Sequence, residues 1–131
     1  MLFRSQRLLQ NVVDARLRNP VSLGGDIHSF WANDLKLDFD DPKAAVVASE
    51  FVGTSVTSNG PPYDKFAAWL PDNPHVHFFD SRKRGYVSAE LQPERLDIAF
   101  RFVANVRNKD TEISTLRRFV VENGHPGPAP A

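Results

Sequence analysis

The sequence predicts an α+β domain with a short N-terminal helix, two buried strands and an antiparallel meander. Three observations predict it. Apolar residues recur at helical spacing near the start, short apolar runs broken by glycine and proline follow, and from His75 onward the period drops to two. The chain has 131 residues, room for one domain, and 41% of them are hydrophobic, enough for a packed core.

The elements follow in order. Leu8, Leu9, Val12, Val13 and Leu17 place a helix over 4–18, and Asn19-Pro20 ends it, because a residue before proline is pushed out of helical geometry. The run "VSL" at 21–23 is a short strand stopped by Gly24-Gly25, and "AVVASEFVG" at 45–53 is a second buried strand. Between them, "LKLDFDDPKA" is an acidic alternating stretch. Its Asp38, Asp40 and Asp41 lack the glycine and distal glutamate of a calcium-binding EF-hand loop, so a solvated turn is the simpler reading. Tyr63, Phe66, Ala67 and Leu70 fit one face of a short helix that Pro71 stops. "HVHFFDS", "GYVSAEL", "RLDIAFRFV" and "TLRRFVVENG" supply the meander. Residues 1–123 are expected to form the folded part. The Pro/Gly-rich 124–131 has little to bury and is expected to be disordered.

Bulk composition excludes several functions. Lys plus Arg is 16 and Asp plus Glu is 16, so no net charge draws the chain to nucleic acid or an anionic membrane. No apolar run approaches the ~20 residues of a membrane span. "MLFRSQRLLQ" lacks the uninterrupted apolar core of a signal peptide, so the sequence is expected to carry no export address. With no cysteine there is no disulfide, thiol nucleophile or Cys-type zinc site.

The chemistry concentrates in "GGDIHSFWAND" at 24–34. A carboxylate at Asp26 and an imidazole at His28 follow a strand's carboxyl end, where α/β sheets collect ligands. That donor set suits a Lewis-acid metal, and the two glycines allow close backbone approach. The plainer reading is a turn capped by Asp26, with His28 packed under Trp31. The hydroxyl-rich "GTSVTSNGPPYD" loop lies at the other strand's end, and Thr54 and Ser55 are its site candidates. His75 and His77 could share a strand face as a metal pair, but no acidic partner is evident, so ordinary strand histidines are the better reading. Arg82-Lys83-Arg84 could grip a phosphate, and a charged hairpin tip explains the run more simply. Trp31 and Trp69 read as core or lid aromatics.

Three blocks in order, "NPVSLGGDIHSFWANDL", "VVASEFVGTSVTSNGPPYDKF" and "LPDNPHVHFFDSRKRGYVSAEL", together resemble the C-terminal part of the alkaline phosphatase D (PhoD-like) family of calcineurin-type metallophosphoesterases. The resemblance spans roughly residues 7–127. It implies the C-terminal part of an α/β/β/α β-sandwich and hydrolysis of phosphate mono- and diesters with calcium and iron. It also implies that Asp26 and His28 are late metal ligands, with Asn33, Thr54 and Ser55 as substrate-side candidates. The family's upstream cysteine and tyrosine for iron, its aspartate cluster and its asparagine segment have no counterpart here. Its members are typically exported, and this sequence leaves the compartment open.

The expectation is therefore a piece of a phosphatase: a truncated gene, a separated domain or a fragment. Alone it should be weakly active or inactive, because a two-metal centre needs about four protein groups per ion and two match. Uncovered strands should lead it to self-associate or to dock on a complementing N-terminal chain. The competing reading is a non-catalytic β-rich module that binds a partner chain, and tight metal binding through Asp26 and His28 separates the two.

Overall fold

In the computed structural model, which describes residues 4–131, helix α1 runs Arg4–Asp14 and buries only Leu9. It ends earlier than Asn19-Pro20 requires. Arg16 turns left-handed at φ 53°, its N–H reaching Val13 O at 2.9 Å while Leu17 N–H reaches Val12 O at 3.1 Å. That pair of bonds is a Schellman stop, which caps the last carbonyls of the helix.

Two sheets follow. The first holds β1 (Val21–Gly24), β2 (Phe30–Lys36), β3 (Val46–Val52) and β4 (Val76–Asp80), in the order β1-β3-β2-β4. β1 and β3 are parallel, and the other pairs are antiparallel. β2 is absent from the sequence reading because Asn33 and Asp34 look like a turn. The pleat resolves this: Phe30 and Ala32 enter the core fully buried, while Asn33 alternates to the other face. There its amide donates to Glu50 Oε2 at 2.8 Å on neighbouring β3, which lets a polar side chain be buried.

Two expectations about the second half change. The predicted helix over 63–70 is shorter, α2 (Tyr63–Ala67), and Pro71 lies inside a following 3-10 turn, Leu70–Asp72. The strand after His75 does not open the meander. β4 pairs with β2, and the chain then crosses to the second sheet, β5 (Arg84–Leu91), β6 (Arg95–Val103), β7 (Ile113–Glu122) and β8 (His125–Pro130), in sequential antiparallel order. Arg82-Lys83-Arg84 therefore lies at a crossing between sheets and not at a hairpin tip.

β8 corrects the disordered tail expected over 124–131. Composition misleads here because the prolines sit on an edge strand, where a missing N–H costs no ladder bond. Pro128 is buried, Phe119 pairs with Pro130, and Gly127 N–H donates to Ser49 Oγ at 2.8 Å on the opposite sheet. Asn19 ties down the β7–β8 turn through Glu122 O and Gly124 N–H. β8 thus closes one side of the sandwich.

The core between the sheets is phenylalanine-rich: Phe30, Phe51, Phe100 and Phe119 with Ile98, Val121 and Ala32. Each of the larger side chains contributes about 1.5–3 kcal/mol on burial.

Candidate functional site

Because β1 and β3 are parallel, the loops that follow them, 25–29 and 53–60, leave from the same end of the sheet. The Gly53 N–H to Gly24 O bond at 2.9 Å joins them at their origin. Both loops were expected at strand ends, and the parallel pairing makes them neighbours.

Asp26 and His28 stand on the first loop in left-handed backbone, at φ 73° and 57°. Asp26 is the centre of a three-residue turn closed by Ile27 N–H to Gly25 O at 2.9 Å. Positive φ at non-glycine residues is uncommon and costs about 1–3 kcal/mol, and such strain gathers at functional sites. The Asp26 side chain is exposed and has no hydrogen bond or ion pair among the described residues. His28 is half-buried, with Nδ1 2.9 Å from Asn59 O on the second loop. A carbonyl only accepts, so the neutral ring carries its proton on Nδ1 and leaves the Nε2 lone pair without a partner among the described residues. His28 is thus held by the second loop, where the plain turn reading had it packed under Trp31.

Arg84, a residue only 8% exposed, places its guanidinium beneath both loops. Nη1 donates to His28 O at 3.1 Å, to Ser58 O at 2.6 Å and to Ser55 Oγ, and Nη2 donates to Ser81 O. Burial lowers its pKa, with the Asp80 charge opposing. Gly60 completes the floor: a Cβ there would lie 2.5 Å from His28 O and from Ser81 O. From the sequence, Asn59 and Gly60 stood only as part of the hydroxyl-rich loop, and Arg84 was not separated from Arg82 and Lys83. The other members of the basic run are engaged locally. Arg82 forks onto Asp80 and stacks 3.8 Å from the Tyr63 ring, while Lys83 sits 4.9 Å from the Phe102 ring.

The remaining candidates are placed as follows. Ser55 joins the His28 neighbourhood through Arg84 and donates its own proton to Ser58 O. Thr54 donates to Lys83 O at 2.9 Å, a bond that fastens the loop to the sheet crossing. Asn33 is not on these loops. It faces Glu50 on the sheet and lines a cleft of about 250 Å³ beside the first loop, with Ile27, Trp31, Phe66, Trp69 and His75. Trp31 packs 4.4 Å from Phe79, while Trp69 is half-exposed at the cleft. Asp38 Oδ1 accepts from Asp40 N–H and Asp41 N–H, the turn chemistry expected of that acidic stretch.

His75 and His77 go separate ways. His77 Nε2 meets Asp34 Oδ2 at 2.9 Å, an acidic partner that the sequence left unplaced because strand β2 was unread. His75 packs edge-on against Phe39, and burial lowers its pKa from 6.5. A histidine whose folded pKa is depressed binds protons more tightly when unfolded, so stability is full above 6.5 and falls as pH drops through the folded value. His75→Gln is expected to flatten that acid arm. Urea midpoints at about pH 8 and about pH 5.5 measure it, and an equal acid loss in both proteins removes His75 from the effect.

Among the described residues, no group of three or more His, Asp or Glu side chains is placed to hold a metal ion. The Asp26 and His28 pair fits part of such a site: an unengaged carboxylate and an imidazole with one nitrogen free.

A two-sheet α+β sandwich with a polar loop pair at the carboxyl end of its parallel strands is the C-terminal architecture of a metallophosphoesterase-type fold. Residues 2–100 match the PhoD-like phosphatase family, and the chain belongs to that family. It is 35% identical over 125 residues to alkaline phosphatase D of Bacillus subtilis (strain 168), a match covering 93% of this chain and 21% of that protein. It superimposes on a solved structure of PhoD with a TM-score of 0.85 at 32% identity, covering 96% of this chain and 24% of that one. The chain thus spans about a fifth to a quarter of the length of the relatives it matches.

Proposed function

We propose that this chain supplies Asp26 and His28 to the metal centre of a PhoD-type phosphoesterase, and that hydrolysis of phosphate mono- or diesters requires the groups its relatives carry outside the matched segment. The observation that carries this reading is His28, held through Nδ1 by Asn59 O with Nε2 free, two residues from an unengaged Asp26 carboxylate. The family resemblance favours calcium and iron as the ions. When bound, such ions polarise a phosphoryl oxygen and lower the pKa of the attacking water. The chain's own part is to present one carboxylate oxygen and one imidazole nitrogen on a strained, pre-set turn.

The test is nitrophenyl phosphate hydrolysis by the purified chain, alone and after mixing with the remaining segment of the Bacillus subtilis relative. Turnover is expected only in the mixture, with loss of at least about a hundredfold on His28→Ala. Robust turnover by the chain alone, or an indifferent His28→Ala variant, would sink the reading.

A second reading has its own observation. β1 is an edge strand with Leu23 61% exposed, and Leu91 beside it is 82% exposed, around a groove of about 490 Å³. An uncovered edge with apolar flanks suits a module that pairs with another chain without catalysis. Association with the relative's remaining segment in the absence of any metal-dependent turnover favours that reading.

A further inference from the structure

The buried arginine beneath the two loops has no ion-pair partner among the described residues. Its acceptors are three backbone carbonyls and one hydroxyl, drawn from three separate stretches of chain: His28 O; Ser55 Oγ and Ser58 O; and Ser81 O. Two of those stretches are the two partners of one contact. His28 lies on the first loop, and Asn59, which accepts from its Nδ1, lies next to Ser58 on the second. A guanidinium with its donors in a rigid fork suits this task, and an ammonium cannot reproduce the fork.

We propose that Arg84 is a positioning residue for His28: it joins the His28 carbonyl to the 55–58 turn, so that Asn59 O holds the imidazole in its Nδ1–H form and Nε2 is the nitrogen left unprotonated. Gly60 belongs to the same device, because a side chain there would meet His28 O, Ser81 O and Arg84 Nη2 at 2.5, 2.5 and 2.7 Å. The purpose of Nε2 rests on the reading of Asp26 and His28 as a metal pair. The positioning itself does not. Which ring nitrogen is free is set by the bond the other makes, and loss of such a supporting partner typically weakens metal binding about 10–100-fold.

The experiment is nitrogen-15 NMR of the imidazole rings in the full chain, in mildly alkaline buffer, on the wild type, Arg84→Lys and Gly60→Ala. A Mn²⁺ titration then reads selective broadening of the His28 ring signals. The wild type is expected to show protonated Nδ1 and bare Nε2 at His28. Arg84→Lys is expected to give a mixture of tautomers, with the amide signals of β5 to β7 in place and apparent Mn²⁺ affinity about tenfold weaker. Should Arg84→Lys fail to fold, Gly60→Ala disturbs the same cradle with the arginine retained. A wild-type His28 protonated on Nε2, or an unshifted Nδ1–H form in the folded variants, overturns the proposal. Tautomer loss in the variants without Mn²⁺ broadening in any protein upholds Arg84 and removes the metal reading instead.

Discussion

Gly85→Ala is expected to unfold or severely destabilise the second sheet. Gly85 pairs with Phe102 across β5 and β6, and a Cβ at Gly85 would lie 1.9 Å from Arg101 O and 2.8 Å from Phe102 Cα. These are backbone atoms and cannot swing aside as a side chain would. They move only if the two strands separate or shift register. Overpacking in a core typically costs about 1–3 kcal/mol even when side chains yield, so a fixed backbone obstacle should exceed that. The strand start is also the link between sheets, because Gly85 N–H donates to Ser55 O at 3.1 Å and Arg84 precedes it. A urea titration should show the midpoint lower by roughly 1 M or more, with His28 losing its Nδ1–H form before the core melts. A variant that melts with the wild type would mean the strands do not approach this closely.

Phe100→Ala is expected to cost about 3–5 kcal/mol, the usual range for truncating a buried aromatic. The ring is fully buried and central. Its centroid lies 4.8 Å from Phe30, 5.7 Å from Phe78, 5.7 Å from Phe119 and 6.3 Å from Phe51, so it touches both sheets. Domains of this size hold about 5–15 kcal/mol in all. The variant should therefore be largely unfolded at body temperature or unfold with little denaturant. Calorimetry decides it: a transition lowered by only a degree or two would show that the four surrounding rings collapse into the space.

Legibility in the sequence varied with how local the cause was. Helix α1, strands β1 and β3 and the β5–β7 meander are written in periodicity, which depends on near neighbours along the chain. The early stop of α1 was not, because Arg16 in left-handed geometry carries no residue signal as a glycine would. β2 was hidden by Asn33 and Asp34, whose partners Glu50 and His77 lie far off in sequence. β8 was hidden by prolines that only an edge position tolerates.

For the site, the residue types at Asp26 and His28 marked the loop, and three blocks in order marked the family. The sequence could not place Asn33, which pairs with Glu50 on the sheet and meets the first loop at the cleft that Ile27 lines. Nor could it separate Arg84 from the two basic residues before it. Arg82 is exposed and forks onto Asp80, whereas Arg84 is buried among carbonyls.

By itself, then, the sequence determined the class of fold, the family and the loop that carries Asp26 and His28, since these follow from local pattern and residue type. Only the tertiary structure decided that the two loops meet, that Asn59 selects the His28 nitrogen left free, and that Arg84 gathers both loops. The parallel pairing of β1 with β3 and the crossing from β4 to β5 bring together residues about 30 to 56 positions apart. Contacts at that separation are set by strand register and burial, which no window along the chain contains.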